Sequence, residues 1–423
     1  MKKLNTSPIS GMQELLPEKQ AIFNQMKRQI EEVYRLHGFL NIETPMIDRT
    51  EILFAKAGGE TEKQIYRVYK TGESAEESRE ALRFDHTVPL ARYVTEHETD
   101  LAFPFRVSQI GRNFRGERAQ KGRFREFYQC DIDVVSRNSL PIEYDVDVIL
   151  TLFEALEKIL PRKRKLVRIS NRKILSGFLE ELNLQEVKDE IFSIIDHAEK
   201  VLPEKTRENL ESLNIGEERV AQVLAFINLS GKREAVLAAL RGFGFENETF
   251  KEGLEELDRV FSLLESQGLE KSIILDMKII RGLDYYTGTV FETILPDFPK
   301  LGSVCSGGRY ENLAELYSEQ KFPGAGGSIG LTRLFSVLDD SGILPESEVK
   351  KPVDLAIIPV SASEVDYCFG LSEELREEGK NVDLVLADKK LGDKLKYASK
   401  IAASAIVIGP DEVASGNYSI KTF

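Results

Sequence analysis

Phe103-Pro-Phe-Arg-Val-Ser-Gln-Ile-Gly-Arg-Asn-Phe114 and Arg123-Phe-Arg-Glu-Phe-Tyr-Gln-Cys-Asp-Ile-Asp-Val-Val135 read as two strands joined by the charged loop Arg115-Gly-Glu-Arg-Ala-Gln-Lys-Gly122. In the second strand Phe124, Tyr128, Cys130, Ile132 and Val134 fall on one face, with Glu126 the exception. Arg123, Arg125, Gln129, Asp131 and Asp133 share the other face, interrupted by the flat ring of Phe127. A solvated outer face and a binding face both alternate in this way, so the pattern leaves the two readings open.

The chain on either side supplies the frame. Over residues 17–37 apolar side chains recur at Ile22, Phe23, Met26, Ile30, Val33 and Tyr34, the spacing of one helix face, and Gly38 stands where a C-terminal cap belongs. Phe39-Leu-Asn-Ile-Glu-Thr-Pro45 reads as a strand stopped by proline, which cannot donate to a sheet ladder and suits an edge or an interface. Residues 187–267 turn to helical patterns with breaks near Pro203, Gly216, Gly231 and Gly242 to Gly244, as in an inserted helical module. Sheet-like chain resumes at 272–280 and reaches the glycine-rich Cys305-Ser-Gly-Gly-Arg-Tyr310. A second glycine run, Pro323-Gly-Ala-Gly-Gly-Ser-Ile-Gly330, precedes Leu331-Thr-Arg-Leu-Phe335, which puts Arg333 near a helix start, a place suited to an anion. After a linker at 345–352, strand and helix alternate through 353–358, 362–378, 382–386, 391–402 and 405–408, the order of a small α/β domain with a largely parallel sheet.

A chain of 423 residues has room for two or three domains. Its net charge of −13 and pI near 5.2 exclude non-specific attraction of polyanions, so a nucleic-acid partner must meet local basic patches. Two are candidates: Arg162-Lys-Arg-Lys165, and the lysines Lys389, Lys390, Lys394, Lys396 and Lys400. No apolar run approaches a bilayer-spanning length and the N-terminus has no apolar signal core, so the expectation is a cytoplasmic protein without a membrane partner. Cys130, Cys305 and Cys368 form no CxxC pair, and His37, His86, His97 and His197 have no metal-ligand spacing.

Chemistry concentrates in Arg281-Gly-Leu-Asp-Tyr-Tyr-Thr-Gly-Thr-Val-Phe-Glu292. A cation, an acid and two phenols stand together there, with Gly282 and Gly288 expected to let a ligand approach the backbone. A guanidinium beside tyrosines suits a small ligand bearing a carboxylate or phosphate.

With these segments the sequence resembles the histidyl-tRNA synthetase family, class II aminoacyl-tRNA synthetases, along essentially its full length. The segment ending at Pro45 matches the dimer-forming motif 1, Phe114-Arg-Gly-Glu117 matches motif 2, and Gly330-Leu-Thr-Arg-Leu334 matches motif 3. The RGLDYY core at 281–286 is specific to the histidine enzymes. The resemblance implies an α+β catalytic domain on a mostly antiparallel sheet of class II type, at 1–186 and 268–344. It also implies a helical insertion at 187–267 and an anticodon-binding-like α/β domain at 352–423. The expected activity joins L-histidine to ATP, with Mg2+, and transfers it to tRNA(His); the expected assembly is a homodimer.

Family roles fall on matching residues. Arg115 and Arg281 would flank the α-phosphate as catalytic cations. Arg123 and Arg333 would hold the outer phosphates, Glu117 would accept from the adenine amino group, and Phe127 would stack on the base with Arg333 over its other face. Asp85 and Thr87 would meet the α-ammonium of histidine. Gln129 would orient its backbone atoms, and Asp133 with Tyr285 and Tyr286 would read the imidazole edge. Arg115 and Arg281 would contact the histidine as well. His86 reads as local structure, and Arg309 and Tyr310 as shaping a loop that closes the pocket. For single residues a bland reading stays open: Glu117 or Asp131 as partners of neighbouring arginines, Tyr285 as core.

Two departures stand out. Thr332 occupies a position where many relatives carry an acid, and the C-terminal domain, which in the family continues through another strand and a closing helix, is expected to be shortened. A rival reading is the non-catalytic regulatory subunit of ATP phosphoribosyltransferase, which keeps the catalytic fold but lacks a tRNA-reading domain. Arg115, Glu117, Arg281 and the α/β tail oppose it. Another class II enzyme, prolyl or threonyl, would not account for RGLDYYTG.

Overall fold

The apolar stripe of the first helix does what its spacing dictates. Pro17–Leu36 is helical and buries Phe23, Met26, Ile30, Val33 and Tyr34, and Gly38 ends the turn at φ +76°, a conformation that costs a residue with a Cβ. The computed structural model of the chain describes residues 4–54, 62–72, 74, 78–119, 122–199, 201–279, 285–311, 314–315, 317–348 and 351–423. They form two compact units, Met1–Gln13 with Lys27–Leu344, and Glu14–Met26 with Pro345–Phe423.

In chain order the strands are β1 Leu40–Asn41, β2 Ile47–Arg49, β3 Arg67–Val68, β4 Glu80–Leu82, β5 Phe105–Phe114, β6 Glu126–Val135, β7 Leu166–Asn171 and β8 Ser230–Gly231. They continue with β9 Ile273–Asp276, β10 Tyr286–Ile294, β11 Ser303–Tyr310, β12 Gly324–Ile329, β13 Val353–Pro359, β14 Val382–Leu384, β15 Ala402–Ile408 and β16 Ile420–Thr422. The first unit is built on a mixed sheet in the order β1-β5-β6-β12-β11-β10-β7-β9-β8, with a small satellite sheet β2-β4-β3. Pairing is parallel at β1–β5 and β7–β9 and antiparallel at the other junctions.

The alternation read in β6 separates two buried faces. Cys130, Ile132 and Val134 are fully buried on one, and the Tyr34 hydroxyl of the first helix donates to the Cys130 carbonyl at 2.9 Å. Asp131 and Asp133, on the other, are 4% and 3% exposed, so this is no solvated surface. Both glycine-rich runs prove to be strands, β11 and β12. Asp133, Gly326 and Gly308 lie side by side across β6, β12 and β11. A Cβ on Gly326 would fall 2.0 Å from the Asp133 carboxylate, and one on Gly308 would fall 3.0 Å from the Tyr286 ring. The two bare positions make a trough in which those side chains lie.

The strand expected over Phe39–Pro45 contributes only Leu40 and Asn41 to the ladder; the Ile42 N–H still donates to the Ser108 carbonyl at 3.0 Å, and beyond it the Thr44 carbonyl accepts from the buried Arg83 guanidinium at 2.7 Å. Between 187 and 267 the helices are Lys188–His197, Pro203–Glu211, Glu217–Ile227, Arg233–Arg241 and Glu248–Ser266, with β8 as a two-residue exception. The last of these helices packs against Arg172–Glu181, close enough that a Cβ on Gly177 would meet the Phe250 backbone at 2.5 Å.

In the second unit the sheet order is β14-β13-β15-β16, parallel except for the last pair. The helix Pro410–Ser415 and the edge strand β16 extend the expected alternation. The basic face is narrower than its five lysines suggest. Lys394 is 7% exposed and its Nζ donates to the Pro359 carbonyl at 2.9 Å, leaving Lys389, Lys390, Lys396 and Lys400 in solvent. Lys165 likewise leaves the Arg162–Lys165 patch, because its Nζ is buried against Glu157 and the carbonyls of Leu160 and Lys163. Among the described residues no helix is long and apolar enough to cross a membrane, and no three His, Cys, Asp or Glu side chains gather as a metal cage.

Candidate active site

Two groups of side chains meet on the face of the sheet that carries Asp133. The first is polar and buried. Asp85 precedes the helix Thr87–Glu96 and caps it, its Oδ1 accepting from the Val88 N–H at 3.1 Å, while the Tyr285 hydroxyl donates to Oδ2 at 3.4 Å. Burial pushes the Asp85 carboxyl up to about 6, against the pull of the Val88 amide and of Arg115. Thr87 faces the same phenol. Asp133 accepts from the Tyr310 hydroxyl at 2.9 Å; burial and then the neighbouring Asp131 charge raise its pKa well above the usual carboxylate value, and the Tyr310 bond opposes them. Tyr285 stacks edge-on against Tyr286 and Tyr310 with ring centres 5.1 and 5.9 Å away, and burial holds the Tyr285 and Tyr310 phenols protonated as donors. Gln129 is fixed at both ends: its Oε1 accepts from Asn113 Nδ2 and its Nε2 donates to Ser328 Oγ, each at 2.8 Å.

The second group is charged and more open. Arg123 Nη1 pairs with Glu117 at 2.9 Å, the pairing that the bland reading of Glu117 offers. Arg333 is the third residue of the helix Leu331–Asp340; its Nη2 donates to the Leu301 carbonyl at 2.6 Å, with Arg123 and Glu117 within electrostatic reach. Thr332, in the place of an acid, accepts the Tyr128 N–H at 2.7 Å and so ties this helix to β6 beside Phe127. Arg115 connects the groups. Its Nε donates to the Phe84 carbonyl at 3.1 Å, its guanidinium lies 5.1 Å from the Phe127 ring centre, and its charge bears on Asp85. Among the described residues no ion pair neutralises it.

Asp85, Thr87, Asp133, Tyr285 and Tyr286 thus come together, as do Glu117, Arg123 and Arg333, while Arg281 lies outside the described residues. Three expectations change. Arg309 closes no loop: it lies in β11, 5% exposed, with its guanidinium on Asp145 and on the carbonyls of Leu140 and Pro141. Tyr310 also lies in a strand, and its hydroxyl enters the site. Gly288 makes room for the Arg309 stem, 2.9 Å from where a Cβ would stand, rather than for a ligand. His86 does more than hold local backbone: its Nδ1 is 3.0 Å from Asp131 Oδ2, both side chains nearly closed to water. Asn113 and Ser328 were missed. Asn113 sits opposite Phe127 in the β5–β6 register, a placement that strand alternation makes legible once the pairing is known.

The chain's likenesses follow the same division. The histidyl-tRNA synthetase family model matches residues 11–334, and the anticodon binding domain model matches residues 354–423. A histidine–tRNA ligase of Clostridium tetani is 43% identical, spanning 100% of this chain and 95% of that protein. The crystal structure of histidyl-tRNA synthetase from a Nostoc species superposes with a TM-score of 0.84 at 37% identity, covering 99% of this chain and 95% of that one. A Bacillus halodurans structure described as an ATP phosphoribosyltransferase regulatory subunit/histidyl-tRNA synthetase gives 0.78 at 22% identity, over 96% of this chain and 100% of that one, a likeness of fold alone. Matched by the family model over most of its length and by a relative over all of it, the chain belongs to the histidyl-tRNA synthetase family.

Proposed function

We propose that the chain activates L-histidine with ATP and transfers the histidyl group to the 3′ end of tRNA(His). The observation that carries this reading is the position of Arg115, over Phe127 in the charged group and acting on Asp85 in the polar one. One cation thereby spans the junction at which a carboxylate and an α-phosphate must meet. The histidine carboxylate oxygen attacks the α-phosphorus in line, the bond to the bridging oxygen breaks, and pyrophosphate leaves. Arg115, with Arg281 as the second cation, meets the charge that builds on the phosphate oxygens.

Asp85 and Thr87 receive the ammonium, Gln129 orients the backbone atoms, and Asp133 with Tyr285 and Tyr286 reads the one donor and one acceptor of the imidazole. Glu117 exchanges Arg123 for the adenine amino group, Arg123 turns with Arg333 to the outer phosphates, and Phe127 stacks on the base with Arg333 over its other face. Magnesium bound with the nucleotide would neutralise the phosphate charge that Arg115, Arg123 and Arg333 leave uncompensated.

Residues 1–186 and 268–344 form a class II catalytic domain in this reading, with 187–267 as its helical insertion and 352–423 as the anticodon-binding domain. A cytoplasmic homodimer forms through the segment ending at Pro45, supported by the exposed apolar side chains of Leu40, Met46 and Ile47. Histidine-dependent exchange of pyrophosphate into ATP tests the reaction. Purified chain is expected to catalyse it; folded protein without exchange would favour the regulatory-subunit reading instead.

A further inference from the structure

The residues assigned to the amino acid sit on two separate elements. Asp85 and Thr87 flank the start of the helix Thr87–Glu96, and Gln129 and Asp133 lie on β6. Between Asp85 and Thr87 stands His86; between Gln129 and Asp133, on the same strand face, stands Asp131. Their side chains meet at 3.0 Å, with 1% and 6% of their surfaces exposed. We propose that His86 is a positioning residue whose hydrogen bond to Asp131 sets the spacing between the ammonium-binding and imidazole-binding halves of the pocket. The proposal rests on the histidine-activating reading above.

The surroundings leave that bond as the tie. His86 is the N-cap residue of the helix, yet its side chain makes no capping bond; Asp85 performs that task through Val88. The ring therefore turns away from its own helix and toward the sheet. Among the described residues, His86 Nε2 and Asp131 Oδ1 have no further partner, so each side chain is oriented by this one contact. The His86 backbone is held from the same side. Gln109 Nε2 donates to the His86 carbonyl at 3.3 Å, Gln109 Oε1 accepts from the Thr44 hydroxyl at 2.9 Å, and Arg83 donates to that hydroxyl at 3.2 Å. Gln109 and Asp131 are cross-strand partners in β5 and β6, so the His86 backbone and ring are anchored on one rung of the ladder. A hydrogen bond to a buried carboxylate is strong and sensitive to geometry, and it can hold a separation that backbone pairing between these two elements does not.

The test is histidine-dependent pyrophosphate exchange with the full chain, comparing H86L, H86N, D131A and the double variant H86L/D131A. H86L removes the donor, and the histidine KM is expected to rise about tenfold or more while the ATP KM stays within about twofold. H86N keeps an amide donor where Nδ1 stands and is expected to recover most of the lost affinity. D131A is expected to reproduce H86L, and the double variant to lose no more than either single change, as two halves of one contact must. A folded H86L with an unchanged histidine KM, or KM values for both substrates rising together without recovery in H86N, would overturn the proposal. Should H86L not fold, D131A against H86N decides in the same terms. Absent exchange in the unaltered chain would instead remove the reading on which the proposal stands.

Discussion

Replacing Asp85 by Asn isolates what a buried carboxyl costs this protein. In the folded chain burial raises Asp85 from 3.8 to about 6. Between those values the native state keeps a proton that the unfolded chain has released, so the native state binds more protons and stability falls as pH rises through the interval. The interval is about 2.2 decades, and at ~1.36 kcal/mol per decade the full loss is about 3 kcal/mol, complete above about pH 6. Asparagine matches the shape, accepts the Val88 N–H and does not titrate. D85N should therefore equal the parent in stability below about pH 4 and exceed it by up to about 3 kcal/mol at pH 7. In a unit of this size that is a rise of about 4 °C in the thermal midpoint. Thermal unfolding followed by circular dichroism from pH 4 to 8, without substrate, measures the difference. Adding histidine at pH 7 should raise the midpoint of the parent and not that of D85N, which has no charge to offer the ammonium. A D85N advantage that is constant with pH, or that shrinks as pH rises, would refute the argument.

Other substitutions probe the remaining geometry. G326A sets a methyl group 2.0 Å from the Asp133 carboxylate and 2.8 Å from the Ile132 carbonyl; a loss of about 1–3 kcal/mol by overpacking is expected in urea unfolding, with histidine binding abolished in calorimetry. T332V deletes the acceptor of the Tyr128 N–H, and at about 1 kcal/mol for that bond the ATP KM should rise about fivefold in the exchange assay, with T332S near the parent. K389E/K396E reverses two exposed lysines of the C-terminal unit and should weaken tRNA charging, more at low salt, while pyrophosphate exchange is unchanged. Loss of both activities, or of neither, would remove that face from tRNA contact.

Much of the scaffold was legible from local pattern. The opening helix and its glycine stop, the two strands around the charged loop, and the alternating strands and helices after Pro352 follow from periodicities of 3.6 and 2 and from residues that tolerate or forbid particular backbone angles. Residues for the nucleotide could be proposed because their motifs match those of a family whose members place such side chains on ATP. What covers a face could not be named. The polar side of β6 was equally consistent with water, and only the packing of residues 85–87 and of Tyr285, Tyr286 and Tyr310 against it makes Asp131 and Asp133 buried.

Partners distant along the chain were invisible for the same reason. Arg309 belongs with Asp145 and Tyr310 with Asp133, separations of 164 and 177 residues, and the lysine at 394 is taken from solvent by a carbonyl of β13. By itself the sequence determined the elements, the charge balance and the motifs that carry the family resemblance, because propensity and side-chain chemistry are local. Tertiary structure decided which residues meet and which are shielded from water. Burial and pairing depend on contacts between strands and helices far apart in the chain, and these set whether a carboxyl such as Asp85 holds its proton near pH 6 or gives it up near 4.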